Sequence, residues 1–374
     1  MILCCQYSET VLTMAITERS KDIEDAILDE VELHPMQVAS RVAARFQISR
    51  QAVARHVQNL VKEGAIQATG KTRARIYELV KTVDEIFFFE EASKIQEDVV
   101  WRQTVYPLVS DVPPNVLDIC RHGLTEMVNN VVDHSESDVL KLRVERDARR
   151  TSIVVRDEGI GIFNKIQQAF GFDEPREAMI ELSKGKFTTD QSRHSGEGIF
   201  FTSQAFDLFG ILSGGLVYTR TNEDNGWLNE LEVAEAVEDQ ERGGTTVLMR
   251  IRHDTTRTIG EVFDRFSDPS TSAFDRTHVP LTLARYEGDE LVSRSQAKRI
   301  LQRFDRFKEV MLDFKGINMI GQAFADEIFR VFVRDHPDVA IVAVNTNREI
   351  DQMISRVKSG RLDDDTSPPV RDRG

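Results

Sequence analysis

With 374 residues, the chain has room for roughly two to three domains of typical size, which excludes a single small module. Apolar residues make up 40% and charged residues 29%, and no apolar run approaches the roughly 18 residues of a membrane helix, so a membrane span is excluded. The net charge of −14 is uneven: between Pro35 and Tyr77 eight basic residues face one acidic residue, Glu63, so a small cationic region sits in a strongly acidic chain.

Residues 1–19 read as an N-terminal extension. They have no basic stretch ahead of the apolar part and no clear small-residue cleavage site, so no secretory signal is expected, and Met14 is an alternative start. Cys4, Cys5 and Cys120 form neither an even disulfide framework nor a C-x-x-C zinc pattern, which leads to the expectation of a cytoplasmic protein.

In residues 20–82, Ile23, Ala26, Ile27 and Val31 recur at helical spacing, as do Val38, Val42 and Phe46 behind Pro35, predicting two short helices. Ser49 suits an N-cap and Gly64 a helix end, so a third helix is expected from Arg50 to Glu63. Val53, Val57 and Leu60 would face its core, turning Gln51, Arg55 and Gln58 outward, with Arg50 at the start. Two β-prone runs around Thr69 and Gly70 then predict a hairpin whose second strand carries Lys71, Arg73 and Arg75 on one face. Gly64 to Thr72 imitates a phosphate loop, but five residues separate its glycines where the motif needs four.

This arrangement resembles a winged helix-turn-helix. The resemblance implies that Arg50, Gln51, Arg55 and Gln58 enter the major groove of DNA and that Lys71, Arg73 and Arg75 meet phosphates. The same segment also reads as a small helical domain for protein contacts or dimerisation. Residues 83–96 read as a linker.

Residues 97–254 carry four segments in order: RHGLTEMVNNVVDHSES, TSIVVRDEGIGIF, RHSGEGIFFTS and RGGTTVLMRI. Glu126 and Asn130 lie four apart on a segment whose Leu124, Val128 and Val131 form a buried stripe, so a carboxylate and an amide emerge on one helical face. Ser152 to Arg156 is a β-prone run ending at Asp157, after which Gly159 and Gly161 allow close backbone approach. A Rossmann reading fails, because the aspartate precedes the glycines and the third glycine is missing.

The ordered set resembles the GHKL ATPase superfamily, which includes gyrase, histidine kinases and anti-sigma-factor kinases. It implies ATP and Mg²⁺ as cofactors, with Asn130 as metal ligand, Glu126 activating the attacking water or hydroxyl, and Asp157 accepting the adenine amino group. It further implies that Thr245 supports Asp157. The stretch between Phe163 and Ser195, which carries Lys184 and Lys186, is expected to be a flexible lid over the phosphates, with Gly196 and Gly198 opening a helix whose amides suit triphosphate oxygens. A histidine autokinase is disfavoured, since His122 sits inside the nucleotide-domain helix. The likeness is nearer to the anti-sigma-factor branch.

Residues 255–290 read as a connector. In residues 291–358, Val310 to Phe314 and Val339 to Val344 are buried-strand runs separated by a helical stretch with Phe324, Ile328 and Phe332, and Ile350, Met353, Ile354 and Val357 form a further helical face. This stretch resembles a STAS-like domain, but Ile320, Gly321, Gln322 and Ala323 stand where such domains present a phosphorylatable serine. Residues 359–374 are polar and proline-bearing, with disorder expected.

The fold class expected is therefore multidomain α+β: a winged helix-turn-helix, a GHKL α/β sandwich and a small STAS-like α/β module. The function expected is a DNA-binding transcriptional regulator whose DNA or partner binding responds to Mg-ATP binding or slow hydrolysis. The alternatives are an anti-sigma-factor-type serine/threonine kinase and a nucleotide-binding scaffold with negligible turnover. Expected partners are DNA, a regulatory protein at the STAS-like domain and a second copy of the chain, with no membrane.

Overall fold

A computed structural model describes residues 19–71, 75–186, 196–222, 243–285 and 290–359. The first unit holds helices α1 (residues 19–33), α2 (Val38–Phe46) and α3 (Arg50–Lys62), followed by an antiparallel hairpin of β1 (Ile66–Thr69) and β2 (Ile76–Leu79). Ser49 caps α3 by accepting the Ala52 N–H at 3.1 Å, and Gly64 leaves the helix at φ +76°. Ile27, Val42, Val53, Val57 and Leu60 close a core separate from that of the rest of the chain. The hairpin corrects one expectation. Thr69 pairs with Ile76, so Lys71 and Arg75 lie exposed between the two strands, not on a strand face. Arg73 lies outside the described residues.

The central unit is a six-stranded sheet of order β3-β4-β5-β8-β6-β7, antiparallel throughout. Its edge, β3 (Val83–Glu90), falls where a linker was expected and pairs with β4 (Val139–Arg146) along its whole length. Val83, Phe87 and Phe89 turn inward while Ile86 and Phe88 face out, a two-residue alternation that half-buries the strand. Next in the sheet are β5 (Arg150–Asp157), β6 (Leu208–Ser213), β7 (Leu216–Thr221) and β8 (Thr245–Arg252). Helix α4 starts at Glu97–Val100 and continues through a π turn to Tyr106–Val109. Helix α5 (Pro114–Asn130) crosses β5 and β8, and α6 (Ile162–Phe170), α7 (Pro175–Lys184) and α8 (Gly198–Ala205) complete the layer. Gly123 lets α5 seat directly on Phe206 and Met249, because a Cβ there would overlap the Phe206 ring.

The stretch expected as a connector is structured. Helix α9 (Ile259–Phe266), fixed by a capping box of Thr258 and Glu261, packs on α5 and α8. β9 (Arg276–Pro280) then becomes the outer strand of a parallel three-stranded sheet of order β11-β10-β9, with β10 (Glu309–Asp313) and β11 (Ala340–Val344). Helices α10 (Arg294–Leu301), α11 (Gln322–Asp326, continued by a π turn) and α12 (Arg348–Lys358) pack around it. A Cβ at Gly321 would lie 2.7 Å from the Val292 Cα, so no side chain fits ahead of α11 at this point. One apolar core runs without a break from the central sheet into this module. No helix among the described residues is long and apolar enough to cross a membrane.

The first unit is attached to the central one by charge. Arg149, only 4% exposed at the β4–β5 turn, bonds Asp25 at 3.3 Å, Asp254 at 2.8 Å and Asp29 of α1. Arg252 reaches Asp29 at 2.8 Å and Arg150 reaches Glu32 at 2.5 Å. Arg149→Ala removes the buried donor at the centre of this cluster and is expected to destabilise the protein by about 1–3 kcal/mol. The expected sign in chemical denaturation is an earlier, separate transition of the first unit, and an unchanged single transition would contradict the clamp.

Candidate nucleotide site

β5 delivers Asp157 to the floor of a cavity of about 270 Å³, walled by the ends of α5, α6, α7 and α8. Asp157 is 4% exposed, yet its carboxylate accepts the Gly159 N–H at 2.8 Å and is bonded by the Thr245 backbone and hydroxyl. Burial raises its pKa above the ordinary aspartate value, and these bonds partly offset the rise. The Thr245 hydroxyl also accepts the Ile162 N–H at 3.0 Å, tying β8 to the start of α6. This threonine therefore fixes both the carboxylate and the helix behind it.

Three glycines make the geometry attainable. A Cβ at Gly159 would overlap the Ser135 carbonyl, and one at Gly244 would overlap the Asp157 carbonyl. Gly161 turns at φ +82° with the Ser213 hydroxyl 2.7 Å from where its Cβ would be. The turn thus brings backbone to backbone where no side chain fits.

Glu126 and Asn130 both line the cavity from α5, as their spacing predicts. The Asn130 amide nitrogen is buried and has no hydrogen-bond partner among the described residues. An uncompensated amide is costly to bury, so its presence at a cavity wall fits a site that completes its bonds with a ligand. Gly196, at φ +73°, and Gly198 bring the start of α8 to the same cavity, and a Cβ at Gly198 would occupy the place of the Glu126 carboxylate. The apolar walls are Val155, Ile166, Leu182 and Val247. Ser195 lies outside the described residues.

Two expectations are corrected here. Lys184 and Lys186 do not line the cavity. Lys184 donates to the Gln302 carbonyl at 2.7 Å and Lys186 to the Arg306 carbonyl at 2.7 Å, both in the C-terminal module. Conversely, Lys165 does line it, donating to the His134 carbonyl at 2.6 Å. Its signal in the sequence was positional: Ile162 and Ile166 bracket it one helical turn apart at the helix that Gly161 starts. His122 packs edge-on against Phe263 at 5.6 Å, and burial pushes its pKa down to about 4.

The residues present fit a purine nucleotide with a divalent ion. The buried Asp157 carboxylate shares the cavity with the apolar side chains of Val155, Ile166, Leu182 and Val247, and the unpartnered Asn130 amide nitrogen, a donor, lines it together with Glu126. No group of three His, Cys, Asp or Glu that could hold a metal ion is found among the described residues.

The raised pKa of Asp157 gives a signed prediction. A carboxyl whose folded pKa is raised favours the folded state fully below its unfolded pKa and loses that contribution as pH rises through the folded value. Asp157→Asn removes the buried charge, so thermal unfolding at neutral pH is expected to shift upward, with the gain shrinking as both forms are taken to acid. A variant destabilised equally at every pH would contradict the burial argument.

Comparison with known families agrees with this geometry. Residues 115–255 match the family model described as histidine kinase-, DNA gyrase B- and HSP90-like ATPase, and residues 296–351 match one described as a STAS-like domain of unknown function. No curated protein matches the chain. The chain therefore contains an ATPase domain of the GHKL type followed by a STAS-like domain.

Proposed function

We propose that the protein is a DNA-binding regulator whose GHKL-type domain binds Mg-ATP, with slow hydrolysis at most, and passes its nucleotide state to its outer domains. The observation that carries the nucleotide half is the pairing, in one cavity, of the buried Asp157 carboxylate with the unpartnered Asn130 amide. In this reading Asp157 accepts the adenine amino group, Thr245 holds the carboxylate in place, and Asn130 would hold the metal through its amide oxygen, leaving its unpartnered amide nitrogen to donate to a phosphate oxygen. Glu126 takes the proton of the attacking water or hydroxyl, supported against Gly198 at the start of α8. Mg²⁺ supplies charge neutralisation at the phosphate oxygens. The backbone amides at Gly196 and Gly198 complement the negative charge of those oxygens.

The DNA half is supported by α3, where Arg50, Gln51, Arg55 and Gln58 are all exposed while Val53, Val57 and Leu60 are buried. We read this unit as a winged helix-turn-helix, with Lys71 and Arg75 in the loop between β1 and β2 reaching phosphates. The docking of α1 on Arg149 leaves that face open.

Two measurements test the reading. With labelled ATP, Glu126→Ala is expected to keep nucleotide binding and lose phosphate release, while Asn130→Ala loses binding in the presence of Mg²⁺. Label appearing on a second protein in place of free phosphate would support the serine/threonine kinase reading instead. In DNA titrations, affinity is expected to fall steeply with salt, to shift on adding a non-hydrolysable ATP analogue, and to drop uniformly across sequences in Lys71→Ala. Binding curves that superimpose with and without the analogue would remove the coupling.

A further inference from the structure

Building on the nucleotide reading of the cavity, we propose that the STAS-like domain is a regulator in cis of the nucleotide site. It would grip two of the cavity's walls through a joint made by Lys184, Lys186 and Phe274.

Helix α7 carries Leu182, which lines the cavity, and two residues later Lys184, which belongs to the other domain. Lys184 is 1% exposed. Burying an ammonium group is costly unless its bonds are met. The partners come from both sides of the joint: Glu181 on α7 itself, and the Gln302 carbonyl at 2.7 Å and Phe304 ring at 5.2 Å from the C-terminal module. The backbone is held as well, since the Thr277 hydroxyl of β9 donates to the Lys184 carbonyl at 2.5 Å. Lys186 donates to the Arg306 carbonyl at 2.7 Å, and its ammonium lies 4.7 Å from the centre of the Phe307 ring.

Gly185, between the two lysines, turns at φ +75°, and a Cβ there would lie 2.7 Å from the Phe274 ring. The chain at this point therefore has no slack against Phe274. That ring in turn packs 4.7 Å from Phe200 and 5.0 Å from Phe201. Both phenylalanines belong to α8, whose first residue abuts the Glu126 carboxylate. The end of α7 and the start of α8 are thus cavity walls on one side and are packed against the STAS-like module on the other. A partner that shifts this module must shift those walls, and by linkage nucleotide binding must act back on the module.

Amide hydrogen exchange on the full chain, with and without Mg²⁺ and a non-hydrolysable ATP analogue, reads this directly. The Arg306 and Phe307 amides bond the Arg303 and Phe304 carbonyls at 3.3 and 3.0 Å and serve as reporters. The analogue is expected to slow exchange at residues 159–166 and also, by about fivefold or more, at these reporters. Lys184→Met should keep the first slowing and lose most of the second, and Lys186→Ala provides the same test if the buried substitution prevents folding. Slowing at residues 159–166 with unchanged reporters in the wild type would overturn the coupling while leaving the nucleotide reading intact. Full reporter slowing in a folded variant of the joint would also overturn it. No slowing at either place would remove the nucleotide reading, and this inference with it.

Discussion

The structure is organised around a carboxylate held out of water at the end of a central strand. Asp157 is kept charged-competent by the Gly159 N–H and by both polar groups of Thr245, and those bonds in turn set where the chain can go. The same threonine fixes the N–H of Ile162, so the acceptor for a base and the first turn of the helix flanking it are positioned by one residue. Gly159 and Gly244 matter because this arrangement brings three backbone segments closer than any side chain allows. The burial that disfavours the carboxylate in the free protein also makes its hydrogen bond to a ligand stronger than the same bond in water.

The outer domains are joined to this centre by different physics. The first unit has its own core and meets the sheet through Arg149, Arg150 and Arg252 against acidic residues of α1. The half-exposed pairs at the rim of this cluster weaken with salt, whereas the buried Arg149 guanidinium is screened far less and is costly to leave unpaired. The STAS-like domain shares a continuous apolar core with the nucleotide domain, adds a buried lysine bonded across the boundary, and so moves only together with the walls it touches. One end is thus held mainly through charge and the other through apolar packing.

Much of this was legible in the sequence because the signals were local. Ser49 and the Val53, Val57 and Leu60 stripe define α3, and Glu126 with Asn130 share a helical face at the cavity. Asp157 at a strand end followed by two glycines marked the floor of the site. The misreadings follow from non-local partners. β3 has a neighbour on one side only, and its exposed Asp84, Glu85 and Glu90 gave it the look of a linker. β9 was hidden in the same way, as a five-residue strand whose pairing with β10 is set far along the chain. Lys184 and Lys186 resembled phosphate-binding residues by composition, but the carbonyls that hold them across the domain boundary are 118 and 120 residues away.

The central claim is that the cavity recognises the amino group of adenine through Asp157. Calorimetric titration of the full chain, in Mg²⁺, with a non-hydrolysable ATP analogue and with its inosine counterpart tests it most directly. A carboxylate acceptor facing a keto oxygen leaves two acceptors opposed, so the inosine compound is expected to bind about 100-fold or more weakly. Equal affinities for the two, or no binding of either, would contradict the account.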